Sequence, residues 1–156
     1  MNPAPLRTPL AKLPPPAVLA LAIGAAVLAT RMMPPLRHAW FRLPAGALAL
    51  AVLALGVIGW AAVEFRRHRT TILPLRQPTS LLERGPFRFS RNPIYLGMLL
   101  LAFVPWLGWG AVGLLLAPAL FFGVINGAVI PHEERTLEAV FGGPFRAYCR
   151  RVRRWC

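Results

Sequence analysis

The polar side chains with chemical potential gather in two places. One is the run Gly85-Pro86-Phe87-Arg88-Phe89-Ser90-Arg91-Asn92-Pro93-Ile94-Tyr95-Leu96-Gly97. The other is His132-Glu133-Glu134-Arg135, followed by Phe141-Gly142 and Phe145-x-x-Tyr148. Together they supply arginine donors, a helix N-terminus at Pro93 and two adjacent carboxylates. That set suits a zwitterionic, partly aromatic cofactor. An arginine and the helix N-terminus would favour a carboxylate, and Glu133 or Glu134 would favour an ammonium. A sulfonium would sit against the ring of Tyr95 or Tyr148 by cation–π attraction. A plainer reading stands beside this one. Arginines next to an apolar segment anchor it, and Glu133 and Glu134 could simply pair with Arg135 or Arg88. The sequence offers no metal-ligand cluster, and no metal is expected; Cys149 and Cys156 read as reduced, structurally neutral thiols.

The elements that must position these residues are apolar. The chain has 156 residues, 56% of them hydrophobic, and the apolar residues come in blocks. Spanning hydrocarbon takes roughly 20 apolar residues in a helix. Segments 44–65 and 109–130 meet that length outright, 17–33 is marginal and 93–106 is short. The expected architecture is therefore all-α: a polytopic membrane bundle of about four transmembrane helices with a C-terminal amphipathic helix. Residues 1–156 form one membrane domain, divided into an N-terminal helical hairpin (1–65) and a motif-bearing half (66–156). Arg7 and Lys12 before the first apolar segment also fit a secretory signal, but another membrane helix follows where a soluble mature domain would begin.

Charge supports the same layout. The formal net charge is +13, which in a soluble protein would suggest nucleic acid. Here the basic residues fall in the gaps between apolar blocks. With four spans and the N-terminus inside, every one of the 18 except Arg31, Arg37 and Arg42 lies on the cytoplasmic side. The charge reads as topology and headgroup attraction, with no nucleic-acid partner. The expected location is an integral, multi-pass membrane protein with both termini cytoplasmic. Trp40, Trp106 and Trp109 fall near span ends, where indole rings favour the interface.

Along the chain, Pro3, Pro5 and Pro9 mark a loose tail. Pro74, Pro78 and Pro86 break the polar segment after the second span, and Thr79-Ser80 ahead of Leu81-Leu82-Glu83 predicts a short helical turn ending at Gly85. Pro93 starts the third helix, Gly108 and Gly110 loosen a turn beside Trp109, and the fourth helix is expected to end near Pro131. From Glu133 to Arg154, Leu137, Val140, Phe141, Phe145, Tyr148 and Val152 among arginines give a basic amphipathic pattern suited to a membrane surface. Gly123 and Gly127 form a small-x-x-x-small pair; close packing within the monomer is the simpler reading and a homodimer face the other.

The run from Gly85 to Gly97, followed by Glu133-Glu134-Arg135-x-Leu137, Phe141-Gly142, Phe145-x-x-Tyr148 and Val152-x-Arg154, resembles the isoprenylcysteine carboxyl methyltransferase family, which is related to the phospholipid methyltransferases. The resemblance covers about residues 70–155, with two separated motifs in order around a helical hairpin. It implies a small helical membrane bundle, S-adenosylmethionine bound near the cytoplasmic face, and a lipophilic acceptor entering from the bilayer. By position, Arg91, Asn92, Pro93, Tyr95 and Gly97 match the first cofactor-binding motif, and Glu133 and Glu134 match the acidic pair of the second, with Tyr148 beyond it. Many relatives carry histidine where this chain has Asn92, which can still donate and accept hydrogen bonds but offers no imidazole. Phe145 keeps the ring of a tyrosine-like position without its hydroxyl.

Methyl transfer from a sulfonium is an in-line displacement, in which much of the catalysis comes from positioning. A carboxylate acceptor is already ionised at neutral pH and needs a cation to hold it, a role open to Arg88 or Arg154. An amine acceptor must lose a proton, which makes Glu133 or Glu134 a candidate base. His132 is a weaker candidate. The leading expectation is O-methylation of a prenylcysteine-like carboxylate, followed by N-methylation of a phospholipid amine. A non-enzymatic membrane helper that retains the motifs is the remaining reading. A transporter is poorly supported, because only Asn126 is strongly polar within an apolar core stretch.

Overall fold

The computed structural model describes residues 13–39, 41–67 and 80–156. The proline-rich tail with Arg7 and Lys12, as well as Trp40, Thr70, Pro74, Pro78 and Thr79, lie outside the described residues. Six α-helices carry the fold: α1 (Pro15–Met32), α2 (Pro44–Arg67), α3 (Pro93–Trp109), α4 (Leu116–Val124), α5 (Ile130–Phe141) and α6 (Gly143–Arg151). Among the described residues the only β pairing is an isolated bridge between Ala39 and Ala111.

Three helical runs are long and apolar enough to cross a membrane: α1, α2 and the run Val112–Phe141 that contains α4 and α5. The 17-residue α3 is the fourth apolar pass. Leucines and valines that a soluble protein would bury lie outward on these helices, among them Leu21, Leu28, Leu48, Val52, Leu53 and Leu55. An apolar exterior of that kind is stable against acyl chains and costly in water. Many of the buried positions are instead small: Ala22 and Ala26 on α1, Ala47, Ala54 and Ala61 on α2, Ala102 on α3 and Ala117 on α4. Small residues let backbones approach where no hydrophobic drive separates protein from lipid.

The α2 alanines recur every seven residues, the period that keeps one stripe facing a partner helix. That partner is α3, against which α2 chiefly packs, while α1 packs chiefly on α4. The first two helices are thus consecutive in the chain but lean on different neighbours. Gly97 explains how closely α3 meets α2. A Cβ there would stand 2.5 Å from Ile58 Cγ1 and 2.9 Å from the Ala54 carbonyl oxygen. Around Tyr95, Ala102, Phe121, Ile125, Val129 and Ile130, with Val18 and Ala22 of α1, the helices α1, α3 and α4 close the main core.

Gly110 ends α3 with φ +73°, and its N–H bonds to the Trp106 carbonyl. The Phe41 carbonyl oxygen approaches so closely that a Cβ at Gly110 would stand 1.6 Å from it, leaving glycine as the residue that fits. Two expected boundaries are corrected. Residues 80–84 are not helical; a 3₁₀ turn, Gly85–Arg88, comes instead, entered through Gly85 at φ +57° with Pro86 behind it. The fourth transmembrane helix does not stop near Pro131 but continues to Phe141. A π turn, Ile125–Val129, precedes the proline and moves the hydrogen-bond ladder out by one residue. Pro131 therefore enters α5 in its first turn, where a missing N–H costs little.

Candidate functional site

The polar side chains of the site are brought in by three stretches of chain. The segment 85–92 leads into α3 and places Arg91 and Asn92 immediately before Pro93, with Tyr95 half a turn inside. The continuation of α4 through the π turn carries Asn126 below and Glu133 and Glu134 above. After Gly142, at φ +53°, the chain reverses into α6, and residues 152–156 return across the head of α3. The two sequence motifs therefore meet at one end of the bundle.

Two sets of contacts join them. Tyr95 donates its hydroxyl to Glu133 Oε1 at 2.6 Å. Arg154 clasps Glu134 in a fork, Nη2 to Oε2 at 2.5 Å and Nε to Oε1 at 3.2 Å. Arg91 Nη1 lies 3.2 Å from the same Glu134 Oε1. A single carboxylate thus holds two guanidiniums, one from each motif, in a partly buried setting where charge-assisted bonds are stronger than in water. The same cluster disposes of the plain pairing considered from sequence: Glu134 takes Arg91 and Arg154, not Arg135 or Arg88.

The backbone reinforces this. Arg91 N–H bonds to the Arg153 carbonyl at 3.0 Å, and the Arg154 carbonyl accepts from Asn92 Nδ2 at 3.0 Å and Ser90 Oγ at 3.3 Å. Asn92 thereby uses its amide to hold segment 152–156. Ser90, which sequence reasoning passed over, is buried at 2% exposure and also accepts the Asn92 N–H. Tyr148 is buried and donates to the Phe87 carbonyl at 2.7 Å, so its hydroxyl braces the turn Gly85–Arg88. Burial pushes the Tyr148 phenol well above its ordinary pKa, which keeps it a donor. Phe145 is buried beside it on α6, and Arg151 reaches Glu83 at 2.6 Å. Phe145 and Tyr148, the buried residues of α6, therefore pack on the chain itself.

Other expected residues lie apart from the cluster. Arg88 is exposed on the 3₁₀ turn and has no ion pair among the described residues. Gly97 faces α2, where its missing side chain admits the neighbouring helix. A Cβ built at Gly123 or Gly127 would meet nothing within 4 Å among the described residues, so those residues do not pack closely against either glycine.

Asn126 is another residue of the cluster that motif reading missed. Its Oδ1 accepts from Arg154 Nη1 at 3.3 Å and from Trp155 Nε1 at 3.1 Å. Trp155 in turn packs against Phe122, ring centroids 5.1 Å apart. Phe122 belongs to a wholly apolar groove between α3 and α4, about 310 Å³ in volume, lined also by Leu99, Phe103, Leu115, Pro118 and Ala119. Tyr95, Leu99 and Phe103 follow one another at four-residue steps, one face of α3. The contact between the groove and the polar cluster is that of Phe122 with Trp155, beside Arg154. The available signal for Asn126 was its isolation, a single amide in an apolar segment.

Arg91 Nε is buried without a hydrogen-bond partner among the described residues, a donor left over beside the carboxylates. A protein of Haemophilus influenzae (strain ATCC 51907 / DSM 11121 / KW20 / Rd), described as uncharacterized, is 42% identical to this chain over 64 residues, 40% of this chain and 98% of that protein. No solved structure matches the chain. The family model described as phospholipid methyltransferase matches residues 43–143, from the start of α2 to the turn into α6, and so takes in Arg91, Tyr95, Glu133 and Glu134 but not Arg154. With its apolar helices and this match, the chain is an integral membrane protein that belongs to the phospholipid methyltransferase family.

Proposed function

We propose that this chain is an S-adenosylmethionine-dependent methyltransferase acting on a lipophilic acceptor at the cytoplasmic membrane face, with a prenylcysteine-like carboxylate as the leading substrate. The observation that carries the reading is the convergence of Arg91, Tyr95, Glu133, Glu134 and Arg154 beside an apolar groove open between α3 and α4. S-adenosylmethionine would supply a methyl group activated on a sulfonium, alongside a carboxylate, an ammonium and an adenine ring. Arg91 has a spare buried N–H for the carboxylate, Glu133 suits the ammonium better than Glu134, which already holds two guanidiniums, and the Tyr95 ring suits the sulfonium. Asn92 and Pro93 set the start of α3 over which these groups assemble, and Gly97 and Tyr148 hold that start against α2 and the turn before it.

For the acceptor, the groove offers space for an acyl or prenyl chain. A carboxylate headgroup needs only a cation, a role for Arg154 within the cluster, with exposed Arg88, apart from it, the weaker candidate. A second reading, N-methylation of a phospholipid amine, is favoured by Glu133. Its carboxylate has the Tyr95 hydroxyl as partner and no guanidinium among the described residues, which leaves it able to take a proton.

The test is binding of S-adenosylmethionine to the detergent-purified protein, followed by labelled-methyl transfer to a farnesylated cysteine and to phosphatidylethanolamine. Saturable binding abolished by Glu134→Ala and by Tyr95→Ala is expected, with methyl transferred to the farnesylated cysteine. Transfer to phosphatidylethanolamine alone would select the amine reading. A folded wild-type protein that binds no S-adenosylmethionine would leave a non-enzymatic membrane helper as the function.

A further inference from the structure

The π turn has a consequence beyond letting the helix pass Pro131. A wide turn in a transmembrane helix costs hydrogen-bond geometry, and such turns recur where a side chain must be aimed. Here the turn Ile125–Val129 contains Asn126, and the Asn126 Oδ1 is where two lines of contact cross. Arg154 Nη1 reaches it at 3.3 Å while the rest of that guanidinium grips Glu134. Trp155 Nε1 reaches it at 3.1 Å while the indole ring lies on Phe122, a wall of the apolar groove. Asn126 itself touches neither Glu134 nor the groove lining in these contacts. Both adjacent residues of segment 152–156 are therefore fixed by one oxygen, one facing the polar cluster and one the apolar groove.

We infer that Asn126 is a positioning residue that couples the two halves of the site, holding Arg154 on Glu134 and Trp155 at the polar end of the groove. Trp155, with Phe122, then forms the wall that an acceptor's apolar chain meets nearest the polar cluster, and it sets which chains fit. The inference rests on the methyltransferase reading for its ligands and on the contacts alone for the anchoring. In an apolar environment a lone amide is costly unless bonded, and its two donors come from residues 28 and 29 positions onward in the chain. The cost is offset only while segment 152–156 stays in place.

The experiment uses Asn126→Leu and Asn126→Asp in the full chain. Leucine removes the acceptor yet inserts into a membrane helix more favourably than asparagine, so loss of fold does not account for its effects. Aspartate keeps the acceptor oxygens. The fluorescence of Trp155 is isolated as the difference between each protein and the same protein carrying Trp155→Phe, and is measured in bilayers containing phosphatidylcholine brominated along its acyl chains. In the wild type the Trp155 component is expected to be blue-shifted and quenched by the brominated chains. Asn126→Leu should move it to longer wavelength and reduce that quenching, and S-adenosylmethionine binding should weaken about tenfold, the loss of one hydrogen bond to a charged group. Asn126→Asp should restore both.

An unchanged Trp155 spectrum in Asn126→Leu would overturn the anchoring. A changed spectrum with unaltered cofactor affinity would overturn the coupling. Wild-type protein that binds no S-adenosylmethionine would remove the methyltransferase reading and the coupling together, while the spectrum would still report the anchor by itself.

Discussion

At the scale of single residues, the site is organised by what each carboxylate holds. Glu134 balances two guanidiniums, so Glu134→Gln leaves Arg91 and Arg154 facing a neutral amide in a partly buried place. Leaving a charge unpaired there should cost about 3 kcal/mol, seen as a lowered thermal midpoint in detergent; an unchanged midpoint would mean that water screens the pair. Glu133 is different, since its partner is the Tyr95 hydroxyl. If the Tyr95 ring serves a sulfonium, Tyr95→Phe should keep S-adenosylmethionine affinity within a few-fold while Tyr95→Ala loses it, because cation–π attraction needs the face of the ring. Calorimetric titration separates these outcomes, and equal losses in both variants would assign the role to the hydroxyl. Much at this scale was legible, because Arg91, Tyr95, Glu133 and Glu134 stand in two recognisable runs. Asn126 was not. Its partners Arg154 and Trp155 lie beyond two helix ends, and no local spacing announces a contact made by a chain reversal at Gly142.

At the scale of elements, the start of α3 was readable because proline at the first helical position and glycine after the last are both local signals. The end of the fourth transmembrane helix was not. Pro131 carries the same local signal for stopping as for starting, and only the π turn upstream decides between them. Residues 80–84 misled for a related reason: a capping serine ahead of leucines favours a helix, yet Gly85 at positive φ and Pro86 turn the chain before one can form. The contact of α2 with α3 carries the third prediction. Gly97→Ala places a methyl group 2.5 Å from Ile58 Cγ1 and 2.9 Å from a backbone oxygen that cannot yield as a side chain would. The helices must separate, at a cost of roughly 1–3 kcal/mol, and Tyr95, half a turn away, must move with α3. The expected result is a lower thermal midpoint together with weakened cofactor binding. Ile58→Ala in the same chain should recover only part of it, since the Ala54 carbonyl remains. Full recovery would show that the side chain alone sets the spacing.

At the scale of the whole molecule, the fold sorts its polar groups by end. The end bearing Arg91, Glu133, Glu134 and α6 also holds most of the arginines, while the other carries the bridge between Ala39 and Ala111 with Arg31, Arg37 and Arg42 nearby. Positive charge is retained on the cytoplasmic side during insertion, and the proposed S-adenosylmethionine is a cytoplasmic cofactor, so both favour an orientation with the cluster in the cytoplasm. The chain's own cysteines allow the test. Cys156 is exposed at the end of the bundle that bears the cluster, whereas Cys149 is half-buried against Arg91. With Cys149→Ser, a membrane-impermeant maleimide should label Cys156 in inverted vesicles and leave it untouched in right-side-out ones. A reporter at the opposite end, Met33→Cys with both native cysteines changed to serine, should give the reverse, since Met33 is exposed where α1 ends. Labelling of Cys156 from the outside would turn the site away from the cytoplasm. The charge distribution would then have failed to orient the chain, and the cofactor would have no route to Glu134.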